Sequence, residues 1–113
     1  MSSAQIKSSL KAARDAISKK DFAKALDHSR KVLALDPANY NAHVFAGVSF
    51  LNLGQLPDSE NAYRQAVSVN PTNPLAWQGL ANLFERKEDL SGLKEASLAL
   101  AEIYAQKHVY LHE

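Results

Sequence analysis

The chain repeats itself with a period of about 34 residues. DPANYNA at 36–42 returns as NPTNPLA at 70–76, which sets Asp36 on Asn70, Pro37 on Pro71, Asn39 on Asn73 and Ala42 on Ala76. The same offset carries Gly47 to Ala81, Phe50 to Phe84 and Val32 to Ala66. A period of this length constrains the fold more than any other feature. Each unit is one supersecondary motif, too small to bury its apolar face alone, so neighbouring units must stack.

The landmarks within the period define helices. Asn39 and Asn73 can accept from backbone N–H groups that have no partner at a helix start. Pro74 suits a first helical position, where its missing N–H costs nothing. Asp36-Pro37 and Asn70-Pro71 end the preceding helices, because proline disfavours helical geometry in the residue before it. Gly54 follows the apolar stripe Val44, Val48, Leu51 and can close that helix in a left-handed conformation. The pattern predicts six helices, at about 3–19, 22–35, 40–53, 57–69, 74–87 and 90–105. A helix–turn–helix unit with this period is the signature of the tetratricopeptide repeat. The expected fold is all-α: a right-handed solenoid of three units at about 3–36, 37–70 and 71–105, with a tail at 106–113.

The units differ in how well they follow the W-x2-L-G-x2-Y pattern of that repeat. The third offers Trp77, Leu80, Ala81 and Phe84; the second His43, Ala46, Gly47 and Phe50; the first only Ser9, Ala12, Ala13 and Ala16. Small residues at Ala13, Gly47 and Ala81 are expected to let paired helices approach closely. Gly47, Phe50, Tyr63, Ala66, Trp77, Leu80, Ala81 and Phe84 form the expected structural core. Trp77 is expected to pack between the two helices of the third unit, so that its loss, if well buried, costs about 3–5 kcal/mol. At the other end, Ile103, Tyr104, Val109, Tyr110 and Leu111 have no following unit to cover them. That suggests a fragment of a longer solenoid, or a chain that pairs with itself through this end.

Composition narrows the function classes. The chain has no cysteine, so disulfides and thiolate metal sites are excluded. The N-terminal stretch has no apolar run of signal-peptide length, and nothing approaches a bilayer span. A soluble intracellular protein is expected. Net charge is +1, but residues 1–35 carry eight Lys/Arg against three Asp, while the remainder sums to −4. This basic third lacks the aromatic–basic interleaving that stacks bases, so direct RNA binding is disfavoured. His108 and His112 are four apart, but two imidazoles in a terminal segment make a poor metal site. No phosphate-binding glycine loop, Gly-x-Ser-x-Gly or His-Glu-x-x-His is present, so no catalysis, metal or cofactor is expected.

A solenoid of this kind presents a concave face lined by the first helix of each unit. Its inward residues are expected to be Lys7, Leu10, Arg14 and Ile17, then Asn41, Val44, Val48 and Leu51, then Leu75, Gln78, Asn82 and Glu85. Of these, Arg14, Asn41, Val44, Val48, Gln78 and Asn82 are the candidates for partner contact. Tetratricopeptide co-chaperones clamp the terminal carboxylate of heat-shock proteins with Lys, Asn and Arg. The matching places here hold Leu10, Arg14, Phe45, Leu75 and Gly79, so that reading is disfavoured. A generic adaptor that holds a peptide in the groove remains the alternative.

The stretch NYNAHVFAGVSFLNLGQLPDSENAYRQAV, followed by NPLAWQGLANLFER, resembles the N-terminal region of the tetratricopeptide scaffold subunit of the superkiller complex. MSSAQIKSSLKAARDAI, KALDHSRKVLALDP and EDLSGLKEASLAL are similar in the same register. The resemblance implies a non-catalytic scaffold for cytoplasmic 3′-to-5′ messenger RNA decay. Its implied partners are an RNA helicase, a β-propeller subunit and a factor that links them to the exosome.

Overall fold

The structure, a computed structural model, describes the backbone of residues 2–112 and the side chains of residues 3–107. The His108–His112 pair and the apolar side chains of Val109, Tyr110 and Leu111 lie outside the described residues. Six helices follow one another among the described residues: α1 (Ser2–Ser18), α2 (Phe22–Leu35), α3 (Tyr40–Asn52), α4 (Leu56–Val69), α5 (Pro74–Lys87) and α6 (Leu90–His112).

Local chemistry explains most of the boundaries, and it repeats with the sequence period. The side chains of Asn39 and Asn73 accept from Ala42 N and Leu75 N, both at 3.0 Å, and so start α3 and α5. Asp21 does the same for α2 by accepting from Lys24 N, and Asp89 accepts from Gly92 N at the start of α6. Pro74 occupies the first turn of α5. The N–H groups of Asp36 and Asn70 close α2 and α4 on Val32 O and Ala66 O.

The turn inside each unit is the same device three times. Lys20, Gly54 and Glu88 are one repeat apart and all have positive φ, at 61°, 80° and 58°. The next N–H in each unit, from Asp21, Gln55 and Asp89, donates back to Ala16 O, Phe50 O and Phe84 O at 2.8–2.9 Å. This six-to-one bond over a left-handed residue satisfies carbonyls that a helix end would otherwise leave without partners. Only the second unit supplies the glycine that the conformation favours.

The last helix is longer than the repeat predicts. It runs to His112 rather than ending near 105. Ala105 stands where Pro37 and Pro71 stand in the earlier units, and Tyr104 stands where Asp36 and Asn70 cap. Without those stop residues the helix continues.

Packing follows the unit order. Each helix packs on its successor, so α1 pairs with α2, α3 with α4 and α5 with α6, and the pairs stack. The main core joins Val44 of α3, Tyr63 and Ala66 of α4, Ala76, Leu80, Leu83 and Phe84 of α5 and Ala96 of α6. A second cluster of Leu26, Ala46 and Ala62 packs with half-buried Phe50. Of the expected core, Gly47, Tyr63, Ala66, Leu80 and Phe84 are buried, whereas Phe50, Trp77 and Ala81 are half-buried.

Tyr63 organises the centre. The Cδ1–Cε1–Cζ edge of its ring occupies the space that a side chain at Gly47 of α3 or at Gly79 of α5 would need. A Cβ added at Gly47 would fall 2.6 Å from the ring, and one at Gly79 closer still. Gly79, two residues before Ala81, also makes such a close approach, and so does Gly92, which meets the ring of Phe84. Three buried serines avoid the desolvation penalty by bonding to carbonyls: Ser29 to Ala25 O, Ser49 to Phe45 O and Ser59 across to Gly47 O, each at 2.8 Å.

Candidate partner-binding groove

The first helices of the three units form one layer and the second helices another. The backbone of α3 comes close to those of α1 and α5, whereas the backbones of α2, α4 and α6 stand farther apart, α4 reaching α6 only through longer side chains such as Arg64 and Glu95. Elements whose backbones approach most closely lie on the short-radius side of a curved stack, which makes α1, α3 and α5 the candidates for the concave face.

Four of its six candidate residues present free surface: Arg14 on α1, Asn41 on α3, and Gln78 and Asn82 on α5 are exposed. Val48 is half-buried. Val44 is a correction: at 8% exposure it belongs to the core with Tyr63 and Ala66, because three residues turn the helix by about 300°, which sets Val44 about 60° round from Asn41. Leu75 adds an apolar edge, 49% exposed.

Two contacts shape the ends of the face. The Arg14 guanidinium stands over the Phe45 ring, 5.6 Å from its centroid, and bridges α1 to α3. At the far end, Gln78 Nε2 donates to the Tyr104 hydroxyl at 2.7 Å, so α6 reaches round to the groove. Tyr104 was legible in the sequence only as an uncovered apolar residue. The signal for its groove position was the missing proline at 105, which lets α6 run on. Between them, Arg86 of α5 donates to Leu51 O at the end of α3 at 2.8 Å, where a cation complements the negative end of the helix dipole.

Ionic contacts that join helices lie on the outer side. Arg64 of α4 makes two bonds to Glu95 of α6, at 2.7 and 2.9 Å, and Glu60 joins it to Lys87 of α5. The bond to Arg64 holds the Glu95 carboxyl below the usual carboxylate range. Burial raises the phenol of Tyr63, and that of Tyr40 too, although the latter accepts a bond from Ala76 N.

Trp77 is half-buried rather than enclosed. Its indole N–H donates to Pro71 O at 3.3 Å, and its ring borders a cavity of about 250 Å³ with Ala99, Glu102 and Ile103 of α6. It thus stands at the edge of the third unit, with α6 across the cavity.

Residues that a carboxylate clamp would need are missing in space as well as in sequence. Gly79 is buried against Tyr63 and has no room for a side chain. Among the described residues, no group of three or more His, Asp or Glu is placed to hold a metal ion. No described helix is long and apolar enough to cross a membrane.

Repeated caps, repeated left-handed turns and an open inner layer define a helical-repeat scaffold for protein interaction. The chain belongs to the tetratricopeptide-repeat family, whose profile matches residues 16–83. It is 44% identical over 108 residues to Superkiller complex protein 3 of Homo sapiens, covering 90% of this chain and 7% of that protein. Superkiller protein 3 of Schizosaccharomyces pombe is 42% identical over 95 residues, covering 84% of this chain and 7% of that protein. The chain therefore spans a small part of the length of these relatives. Among solved structures, the Sgt2 tetratricopeptide domain from Aspergillus fumigatus superposes with a TM-score of 0.82 at 23% identity, covering 88% of this chain and 66% of that one. This last likeness speaks to the fold.

Proposed function

We propose that the chain is a non-catalytic arm of a superkiller-type scaffold, which organises an RNA helicase and a β-propeller subunit for exosome-linked messenger RNA decay in the cytoplasm. The observation that carries this reading is the similarity to superkiller proteins, which extends across nearly the whole chain and beyond the repeat landmarks. The concave face supports a protein partner: its exposed amides and Arg14 can hydrogen-bond a peptide backbone, and Leu75 offers an apolar contact. Direct RNA binding has less support, since Phe45 and Phe50 are half-buried under Arg14 and Arg30 instead of being free to stack bases.

Co-purification from cell lysate tests the reading. Recovery of the helicase and the β-propeller subunit supports it; their absence, with another stable partner present, refutes it in favour of a generic adaptor.

A second reading is self-association through the uncapped C-terminal end of the stack, favoured by Leu90 and Leu98 of the last helix, which are 80% and 61% exposed. Sedimentation at high concentration decides this: a strictly monomeric species rules it out.

A further inference from the structure

The three units share a mouth between the start of the first helix and the end of the second. In the second and third units a planar ring stands there, and its N–H is satisfied in the same way. His43 Nε2 lies 2.8 Å from Pro37 O, and because a carbonyl only accepts, the ring nitrogen donates. Trp77 Nε1 donates to Pro71 O, one repeat further on. The equivalent residue of the first unit is Ser9, which has no ring to offer.

The first mouth is correspondingly open. A cavity of about 570 Å³ lies there, lined by Gln5, Ser8, Ser9, Lys31, Ala34 and Leu35 among others. The repeat offset maps Ser9 to Trp77, Lys31 to Ala99, Ala34 to Glu102 and Leu35 to Ile103, and those four residues border the mouth of the third unit, where the cavity is about 250 Å³. The two cavities are the same place in the fold, one holding an indole at its edge and the other without one. The size of the open one falls within the roughly 300–1,000 Å³ typical of ligand pockets.

We infer that this first mouth is a docking site for an aromatic side chain, tryptophan foremost, presented by an acidic segment of a partner protein. The ring is specified by what fills the equivalent places. Leu35, 47% exposed, supplies an apolar wall, and Gln5, Ser8 and Ser9 supply acceptors for an indole N–H. The acidic flank is specified by charge. Lys31 is the one charged residue of the lining among the described residues, and it lies in the segment that carries the chain's basic excess. Its ion pair with Asp27, at 3.4 Å, is open to solvent on both sides, so a partner carboxylate can compete for it. This site is separate from the concave groove and stands whether or not the superkiller placement holds.

Titration of the ¹⁵N-labelled chain with N-acetyl-tryptophanamide and with the peptide acetyl-Glu-Trp-Glu-amide tests the inference by NMR. Saturable shifts are expected at residues 4–9 and 31–35, with a Kd on the order of 1 mM for the single residue. The acidic peptide should bind about tenfold tighter at low salt and lose that advantage in roughly 0.5 M salt or in Lys31→Glu. Ser9→Trp, which plugs the mouth from within, should abolish the shifts and raise the melting temperature. Ala34→Arg, at the exposed rim, provides a second block if Ser9→Trp does not fold. Shifts that are absent, centred elsewhere, or unchanged in a folded blocking variant overturn the inference.

Discussion

Gly79→Ala sets two well-understood effects against each other at one position. Replacing glycine by alanine inside a helix ordinarily stabilises by about 0.5–1 kcal/mol, because the unfolded chain loses freedom and the helix gains propensity. Here the new Cβ would fall on the ring of Tyr63, closer than real Cβ atoms approach a neighbour. The ring has little room to retreat, because the same Cδ1–Cε1–Cζ edge also lies against Gly47 of α3, where a Cβ would be only 2.6 Å away. Tyr63 is 2% exposed, so there is no solvent to move into. Overpacking of this kind destabilises by about 1–3 kcal/mol, which exceeds the propensity gain. A net loss of about 0.5–2 kcal/mol is expected, or a fall in Tm of about 2–8 °C for a chain of this size. Thermal melts followed by circular dichroism measure it. The double variant Gly79→Ala, Tyr63→Leu should show less than the sum of the single losses, since the smaller side chain relieves the clash. A rise in Tm for Gly79→Ala alone would show that α4 and α5 are not held at this distance and would refute the packing argument.

Three further outcomes follow from the same geometry. Glu88→Gly should raise Tm by about 2–4 °C, because a left-handed non-glycine residue is strained and its period-mate Gly54 already uses glycine; no change would mean that Glu88 holds the turn by another route. Tyr63→Phe should leave stability at pH 7 nearly unaltered but protect against alkali: burial raises the native phenol above its usual value of 10.0, so the contribution is full below pH 10 and is lost as pH rises. By pH 11 the parent should have lost up to about 1.4 kcal/mol more than the variant in urea titrations, and parallel losses would contradict this. Trp77→Ala should cost about 2 kcal/mol, below the roughly 3–5 kcal/mol of an enclosed aromatic, since the indole is half-buried; hydrogen exchange should then accelerate first in α6.

The sequence carried the fold because its stop and start residues act locally. Asn39, Asn73, Pro37, Pro71 and Pro74 fix helix ends through chemistry within a few residues, and the repeat offset orders the units. Three features escaped that reading because they depend on contacts between units or on what is missing. Gly79 and Gly92 look like weak points in helices until Tyr63 and Phe84 are set against them. Lys20 and Glu88 give no sign of a left-handed turn, since only Gly54 carries the residue that favours it. Tyr104 reaches the groove because Ala105 fails to stop α6. The candidate face was legible as a set of helices, but periodicity alone could not separate exposed Asn41 from buried Val44.

The central claim is that the inner face of α1, α3 and α5 engages a protein of the superkiller type. Isothermal titration of the chain against a purified helicase and β-propeller module tests it most directly. Binding should be saturable and should weaken at least about tenfold in the double variant Arg14→Glu, Gln78→Arg, a loss of two polar contacts, while the melting temperature stays within about 2 °C of the parent. Absence of binding, or binding unchanged in the folded double variant, would contradict it.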